Sequence, residues 1–299
     1  FRQPVTRLIL LLMVLLLLLP GCRRQQPAPK PAPQMEEEPV ISLYINETGQ
    51  KKDMKIEEYL QGVVAAEMDT KWPVNALAAQ AILARTFTME NIQEGRVRQL
   101  RGTDASTSVE EFQAYEPAKI NDNVRKAVEM TRGKVLTHNN NYVQAWFSAC
   151  CGGITASAEE GLGYTKGPTP YLKEGTQDGC LSITVPENKA WEARIPLAQV
   201  RTAVQQITGK DPGVITSASI ERKGPSGRAE LALGSEKVRS MLLSDLRVEG
   251  GQLVLAGKGF GHGVGLCQWG AKLLAEQGKS PEEIVQFYHR NVEIQKRWE

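Results

Sequence analysis

Gly257, Gly259, Gly261, Gly263 and Gly265 take every second position of one short stretch, separated by Lys258, Phe260, His262 and Val264. In extended backbone alternate residues face the same way, so such a ladder has one surface without side chains. That surface admits a flat ligand or another stretch of backbone at close range. The spacing excludes a dinucleotide loop, because no frame satisfies GxGxxG: the third glycine falls on His262, Val264 or Leu266. His262 inside the ladder and Gln268 just beyond it are hydrogen-bonding groups suited to a binding groove. A packed histidine satisfied by backbone is the other reading of His262.

The opposite end of the chain stays outside any core. Arg2 and Arg7 precede an unbroken apolar run, 8–19, which ends in Pro20-Gly21-Cys22. A basic segment, a twelve-residue apolar run and a small residue before cysteine form an export signal. The run is short for a spanning helix, which needs about 20 apolar residues. Leu19-Pro20-Gly21-Cys22 resembles a lipobox, with Cys22 as the lipidated residue; an uncleaved membrane anchor is the alternative. Residues 23–39 then hold Pro27, Pro29, Pro31, Pro33 and Pro39, and alternating prolines favour an extended tether. Residues 1–22 are therefore expected to be signal or anchor, 23–39 a tether, and 40–299 the working domain. The expected location is the outer face of a bacterial cytoplasmic membrane, reached through the N-terminus.

Charge removes one class of function. Of 36 basic residues only Arg2 and Arg7 lie in the first 21, so 34 remain against 34 acidic ones. A balanced domain lacks the electrostatic footprint of a nucleic-acid binder. With three histidines and neither HExxH nor CxxC, the familiar zinc-hydrolase and zinc-finger patterns are missing as well.

Periodicity predicts a strand over 41–45, helices over 56–68 and 74–91, an irregular stretch over 95–117 and a helix over 121–131. Strands over 134–136 and 142–149 follow, joined by a turn at Asn139-Asn140-Asn141. A mostly β region with one helix near 197–207 comes next, and helices over 267–277 and 281–290 close the chain. Helices and strands come in blocks, which favours α+β over a doubly wound sheet. A smaller β-rich subdomain is expected around 186–256.

In the first helix Ile56, Leu60, Val63 and Val64 form an apolar stripe that Glu67 extends, with Glu57, Glu58 and Gln61 on the solvated side. A carboxylate on a desolvated face has its neutral form favoured, as a general acid requires. A structural carboxylate held by a buried cation is the competing reading. Arg85 sits in the apolar stripe of the second helix and needs an acceptor there. Pairing with Glu67 would weaken the general-acid reading; pairing with backbone carbonyls or substrate would leave it intact.

Besides Cys22 the chain has Cys150, Cys151, Cys180 and Cys267. An exported domain can form disulfides, and Cys151 with Cys180 is the preferred pair because both border the glycine-rich segment. Adjacent Cys150 and Cys151 are not expected to bridge each other or to clasp one ion. A nucleophilic Cys267 beside His262 has little support, and no GxSxG elbow exists.

Three segments together resemble the stage II sporulation protein D family. They are Glu58-Tyr59-Leu60-Gln61-Gly62-Val63-Val64-Ala65-Ala66-Glu67-Met68, running on through Pro73, Gln80 and Arg85; Ala145-Trp146-Phe147-Ser148-Ala149-Cys150-Cys151-Gly152-Gly153; and Gly259-Phe260-Gly261-His262-Gly263-Val264-Gly265-Leu266-Cys267-Gln268-Trp269-Gly270-Ala271. The resemblance implies a glycan-binding groove and a lytic transglycosylase cutting peptidoglycan strands that lack stem peptides, during engulfment in spore formers. It places the catalytic glutamate on Glu67, and Gln80, Arg85, Ser148, His262 and Gln268 among substrate-binding positions. It implies no cofactor. Partners would be glycan strands and other cell-wall hydrolases or sporulation proteins. A non-catalytic glycan-binding module that recruits or stimulates a cell-wall amidase is the alternative. Some members carry a zinc site of cysteine and histidine shortly before a Gln-x-Tyr. Here Gln113-Ala114-Tyr115 follows a stretch, 104–112, without either residue, so no metal is expected there.

Overall fold

The computed structural model describes residues 31–239 and 242–299, with the backbone alone for 236–239. The expected signal or anchor, with Cys22, lies outside the described residues. Among those described, no helix is long and apolar enough to cross a membrane. The fold is α+β, with several small sheets set among helices, and the chain divides into two compact units.

One unit comprises 31–147, Thr169–Tyr171 and Ala271–Glu299. Its centre is a long helix, α2 (Val74–Glu94), whose residues are buried nearly all round from Ala76 to Asn91. Ala76, Ala78, Ala79, Ala81 and Ala84 make it narrow enough for neighbours on every side. Those neighbours are α1 (Ile56–Glu67), the helices Asp122–Met130 and Pro281–Tyr288, and the strand Lys134–His138. α2 ends at Gly95, whose φ of 69° forms a left-handed cap. The helix Pro281–Tyr288 begins with a reciprocal capping box between Ser280 and Glu283.

The predicted strand at 41–45 is present as Val40–Ile45. It pairs antiparallel with Gln50–Lys55, a polar segment whose lack of apolar alternation hid it from sequence. The stretch expected to be irregular contains the short helix Arg96–Arg101. The predicted strand over 142–149 survives only as Asn141–Tyr142 and Phe147–Ser148. At the chain end Glu293–Lys296 pairs with Lys134–His138.

The second half of the proline-rich tether is not detached. Ala32 is buried, its N–H donates to Asn140 O at 2.7 Å, and Met35 N–H reaches Arg297 O at 3.0 Å. Glu38 caps α1, accepting the Glu57 N–H at 3.0 Å, and pairs with Arg132.

The other unit comprises Ser148–Pro168 and Leu172–Gly270. Its β-rich part agrees with the expected subdomain. Gln252–Gly257 is flanked by Trp191–Pro196 and Leu243–Glu249, and Ala229–Leu233 by Ala218–Lys223 and Glu236–Arg239. Val200 and Val204 of the helix Leu197–Thr208 bury their side chains with Ala229, Leu231, Leu233, Leu253 and Leu255.

Candidate functional site

Glu67 is the last residue of α1 and is half-buried, whereas Val63 and Val64 are fully enclosed. The stripe was read correctly, but its burial weakens where the helix stops. Glu67 Oε1 accepts the backbone N–H of Ala114 at 3.2 Å. The segment carrying that N–H is held on both sides. Gln113 Nε2 donates to Thr88 Oγ1 at 2.9 Å, and the Tyr115 ring stacks on Tyr59 with centroids 5.6 Å apart. Glu116 N–H donates to Gly62 O at 3.0 Å. Glycine is required at 62 because a Cβ there would lie 2.2 Å from Cε2 of Tyr115. Burial, reinforced by the Glu67 charge, pushes the Tyr59 hydroxyl well above the usual phenol range, so Tyr59 stays neutral. The importance of Gln113, Ala114 and Tyr115 was missed, since a backbone donor leaves no residue-type signal.

Arg85 does not meet Glu67. It is fully buried, and its Nε and Nη2 donate to Glu57 Oε1 and Oε2 at 2.9 and 2.6 Å. Nη1 donates to Lys134 O at 3.0 Å. Glu57, expected on the solvated side, is therefore buried. It also accepts from Gly133 N at 3.0 Å and from Trp298 Nε1 at 3.0 Å. This corrects the substrate-binding assignment of Arg85: its donors are committed inside the protein. Gln80 is likewise fully buried within α2.

The glycine ladder lies in the other unit and is not a regular strand. Gly259, Gly261, Gly263 and Gly265 have φ between 70° and 95°, which L-residues with a Cβ rarely adopt. Its close approach is to the chain itself. A Cβ on Gly259 would lie 2.8 Å from Cys150 O, and one on Gly263 would overlap the Arg228 guanidinium. Cys150 and Phe260 exchange backbone hydrogen bonds at 3.0 and 2.8 Å, and Ala156 N–H donates to Gly263 O at 2.8 Å. Of the two readings open in sequence, close approach of another backbone is observed. His262 is half-buried, and its Nδ1 accepts the Val264 N–H at 3.0 Å. Ser148 and Gln268 are buried.

This zipper gathers the cysteines. Cys151 and Cys180 stand with sulfurs 3.7 Å apart, and Cys150 and Cys180 with sulfurs 3.6 Å apart. A disulfide needs about 2.05 Å, and no disulfide joins any of Cys150, Cys151, Cys180 and Cys267, so the expected Cys151–Cys180 bond is not formed in this structure. Hydrogen bonds from Cys180 and Cys267 bring the Cys151 thiol down to about 6, while burial pushes Cys267 up. In the stretch before Gln113, Asp104 is engaged by Ser42 and Arg98, and Thr107 by Asn46 N–H and Glu47.

A family model described as Stage II sporulation protein matches residues 44–138. The stage II sporulation protein D of Bacillus amyloliquefaciens is 31% identical over 288 residues, covering 88% of this chain and 80% of that protein. An uncharacterised protein of Brachyspira hyodysenteriae is 32% identical, covering 81% of this chain and 67% of its own. The amidase enhancer of Bacillus subtilis is 29% identical over 77% of this chain but only 39% of that protein. The ordered sequence blocks and this breadth of identity agree: the chain belongs to the stage II sporulation protein D family.

Proposed function

We propose that this protein is a peptidoglycan lytic transglycosylase, held at the outer face of the bacterial cytoplasmic membrane and acting on stem-peptide-free glycan during sporulation. The observation that carries the reading is Glu67: a half-buried carboxyl at a helix end, in the family's catalytic frame, oriented by the Ala114 N–H. Such a group supports single-acid chemistry. Glu67 gives its proton to the glycosidic oxygen as the C1–O bond breaks. Its carboxylate then takes the proton of the muramic acid 6-hydroxyl as that oxygen closes on C1, leaving a 1,6-anhydro end. A hydrolase would instead use a second carboxyl group across the bond to activate water or form a covalent intermediate. His262 and Gln268 are assigned to sugar hydroxyls or N-acetyl groups.

The second reading is a glycan-binding module that stimulates a cell-wall amidase, favoured by the similarity to an amidase enhancer. Digestion of stem-peptide-free glycan, with products separated and weighed, decides between them. Glu67→Gln is expected to keep glycan binding and lose anhydro-end formation by roughly 10²–10⁴-fold, as for a general acid–base group. His262→Ala is expected to weaken binding without unfolding the protein. Undiminished cleavage by folded Glu67→Gln overturns the mechanism, reducing ends make the enzyme a hydrolase, and binding without cleavage by wild type supports the amidase role.

A further inference from the structure

Cys151, Asp178, Cys180 and Cys267 come from three separate stretches of one unit, and their ligating atoms all lie within 4.8 Å of one another. All four residues are buried. The Cys151–Cys180 sulfur separation is 3.7 Å, and Cys151 Sγ lies 3.5 and 3.4 Å from the two Asp178 oxygens. Tetrahedral zinc with Zn–S near 2.3 Å and Zn–O near 2.0 Å sets its sulfurs about 3.8 Å apart and sulfur about 3.5 Å from oxygen. The Cys151–Cys180 and Cys151–Asp178 spacings match these two kinds of edge. Separations of this size also suit thiols hydrogen-bonded to one another, so the surroundings of the cluster decide.

Those surroundings bring N–H donors and a buried cation to the cluster. Cys267 Sγ accepts two backbone N–H groups, from Cys151 at 3.3 Å and from Gly270 at 3.4 Å. Asp178 Oδ1 accepts the Cys180 N–H at 3.0 Å, which sets the carboxylate against the start of the short helix Cys180–Ile183. Arg228, buried beside the cluster, donates to Cys151 O at 3.0 Å and brings a positive charge. Three thiolates and a carboxylate around a divalent ion leave a net charge of about −2, which one guanidinium partly offsets.

We propose that Cys151, Asp178, Cys180 and Cys267 form a closed, structural site for a zinc ion. The ion clamps the 148–156 stretch and the 178–180 turn to the end of the glycine ladder. Four protein ligands leave no open position, so the site is distinct from any chemistry at Glu67. Cys150, whose sulfur lies 3.6 Å from that of Cys180, is a neighbour rather than a ligand.

The test uses the full chain, purified both without reductant and after reduction. Elemental analysis is expected to give one zinc per chain, with Cys151, Cys180 and Cys267 protected from alkylation until a chelator is added. Cobalt(II) added to the zinc-stripped protein is expected to give the sulfur-to-cobalt charge-transfer band and the visible bands of a tetrahedral site. Removing a metal-orienting outer partner commonly costs 10–100-fold in affinity. Asp178→Asn, which removes a ligand, should therefore raise the cobalt dissociation constant by at least about tenfold, whereas Cys150→Ser should leave the stoichiometry at one. The idea is overturned if the reduced chain binds neither zinc nor cobalt with thiolate bands, or if the zinc-free chain carries a disulfide among these cysteines. An Asp178→Asn variant with unchanged cobalt affinity also overturns it. If the cysteine variants fail to fold, the wild-type cobalt spectrum and the alkylation pattern still decide.

Discussion

A guanidinium with no exposed surface must be answered inside the protein, and Arg85 is answered by Glu57. Removing one member of a buried, hydrogen-bonded ion pair typically costs about 3–5 kcal/mol, because the other charge is left without compensation. Glu57→Gln and Arg85→Met are each expected to lose about that much in urea unfolding. The double variant should lose less than the sum of the two. Glycan cleavage per folded molecule should stay near wild type in the single variants, since neither side chain reaches the surface. A loss of cleavage without loss of stability would return Arg85 to the substrate. The need for a partner was readable from the apolar stripe around Arg85, but its identity was not. Glu57 lies 28 residues away, and its third donor, Trp298, lies 241 residues away.

At the scale of elements, α1 was visible because its stripe repeats with helical period, and its mid-helix glycine is explained by what lies across it. Alanine at 62 would raise helix propensity by roughly 1 kcal/mol. It would also place a methyl 2.2 Å from the Tyr115 ring, and overpacking of this kind costs about 1–3 kcal/mol. The clash should win. Gly62→Ala is expected to lower the melting temperature and, by displacing Ala114 from Glu67, to reduce anhydro-end formation. Combining Gly62→Ala with Tyr115→Ala should recover stability relative to Gly62→Ala alone, and a melting curve for each variant checks this. The glycine ladder teaches the converse. Its alternation was plain in the sequence, but alternate left-handed residues turn the segment away from a strand, and its bare faces meet Cys150 and Arg228.

For the whole molecule, the proposed anchor and the folded units pose separate questions. Cys22→Ala is expected to release the protein from membranes or to leave an uncleaved precursor. Membrane fractionation and the mass of the mature chain check this, and an unchanged mass and membrane fraction would favour an uncleaved anchor. The longer helices, the β-rich stretch between them and the place of Glu67 at the end of the α1 stripe could be read from the chain alone. Each follows from the period with which side chains repeat, and that period is set by backbone geometry over a few residues. Partners were decided only in three dimensions. Glu57 inside rather than out, Ala114 at Glu67, Ala32 buried on the folded unit and Cys151 beside Cys267 all depend on the path of the chain between distant residues. Local periodicity states which way a side chain faces, whereas what stands opposite it is settled by packing.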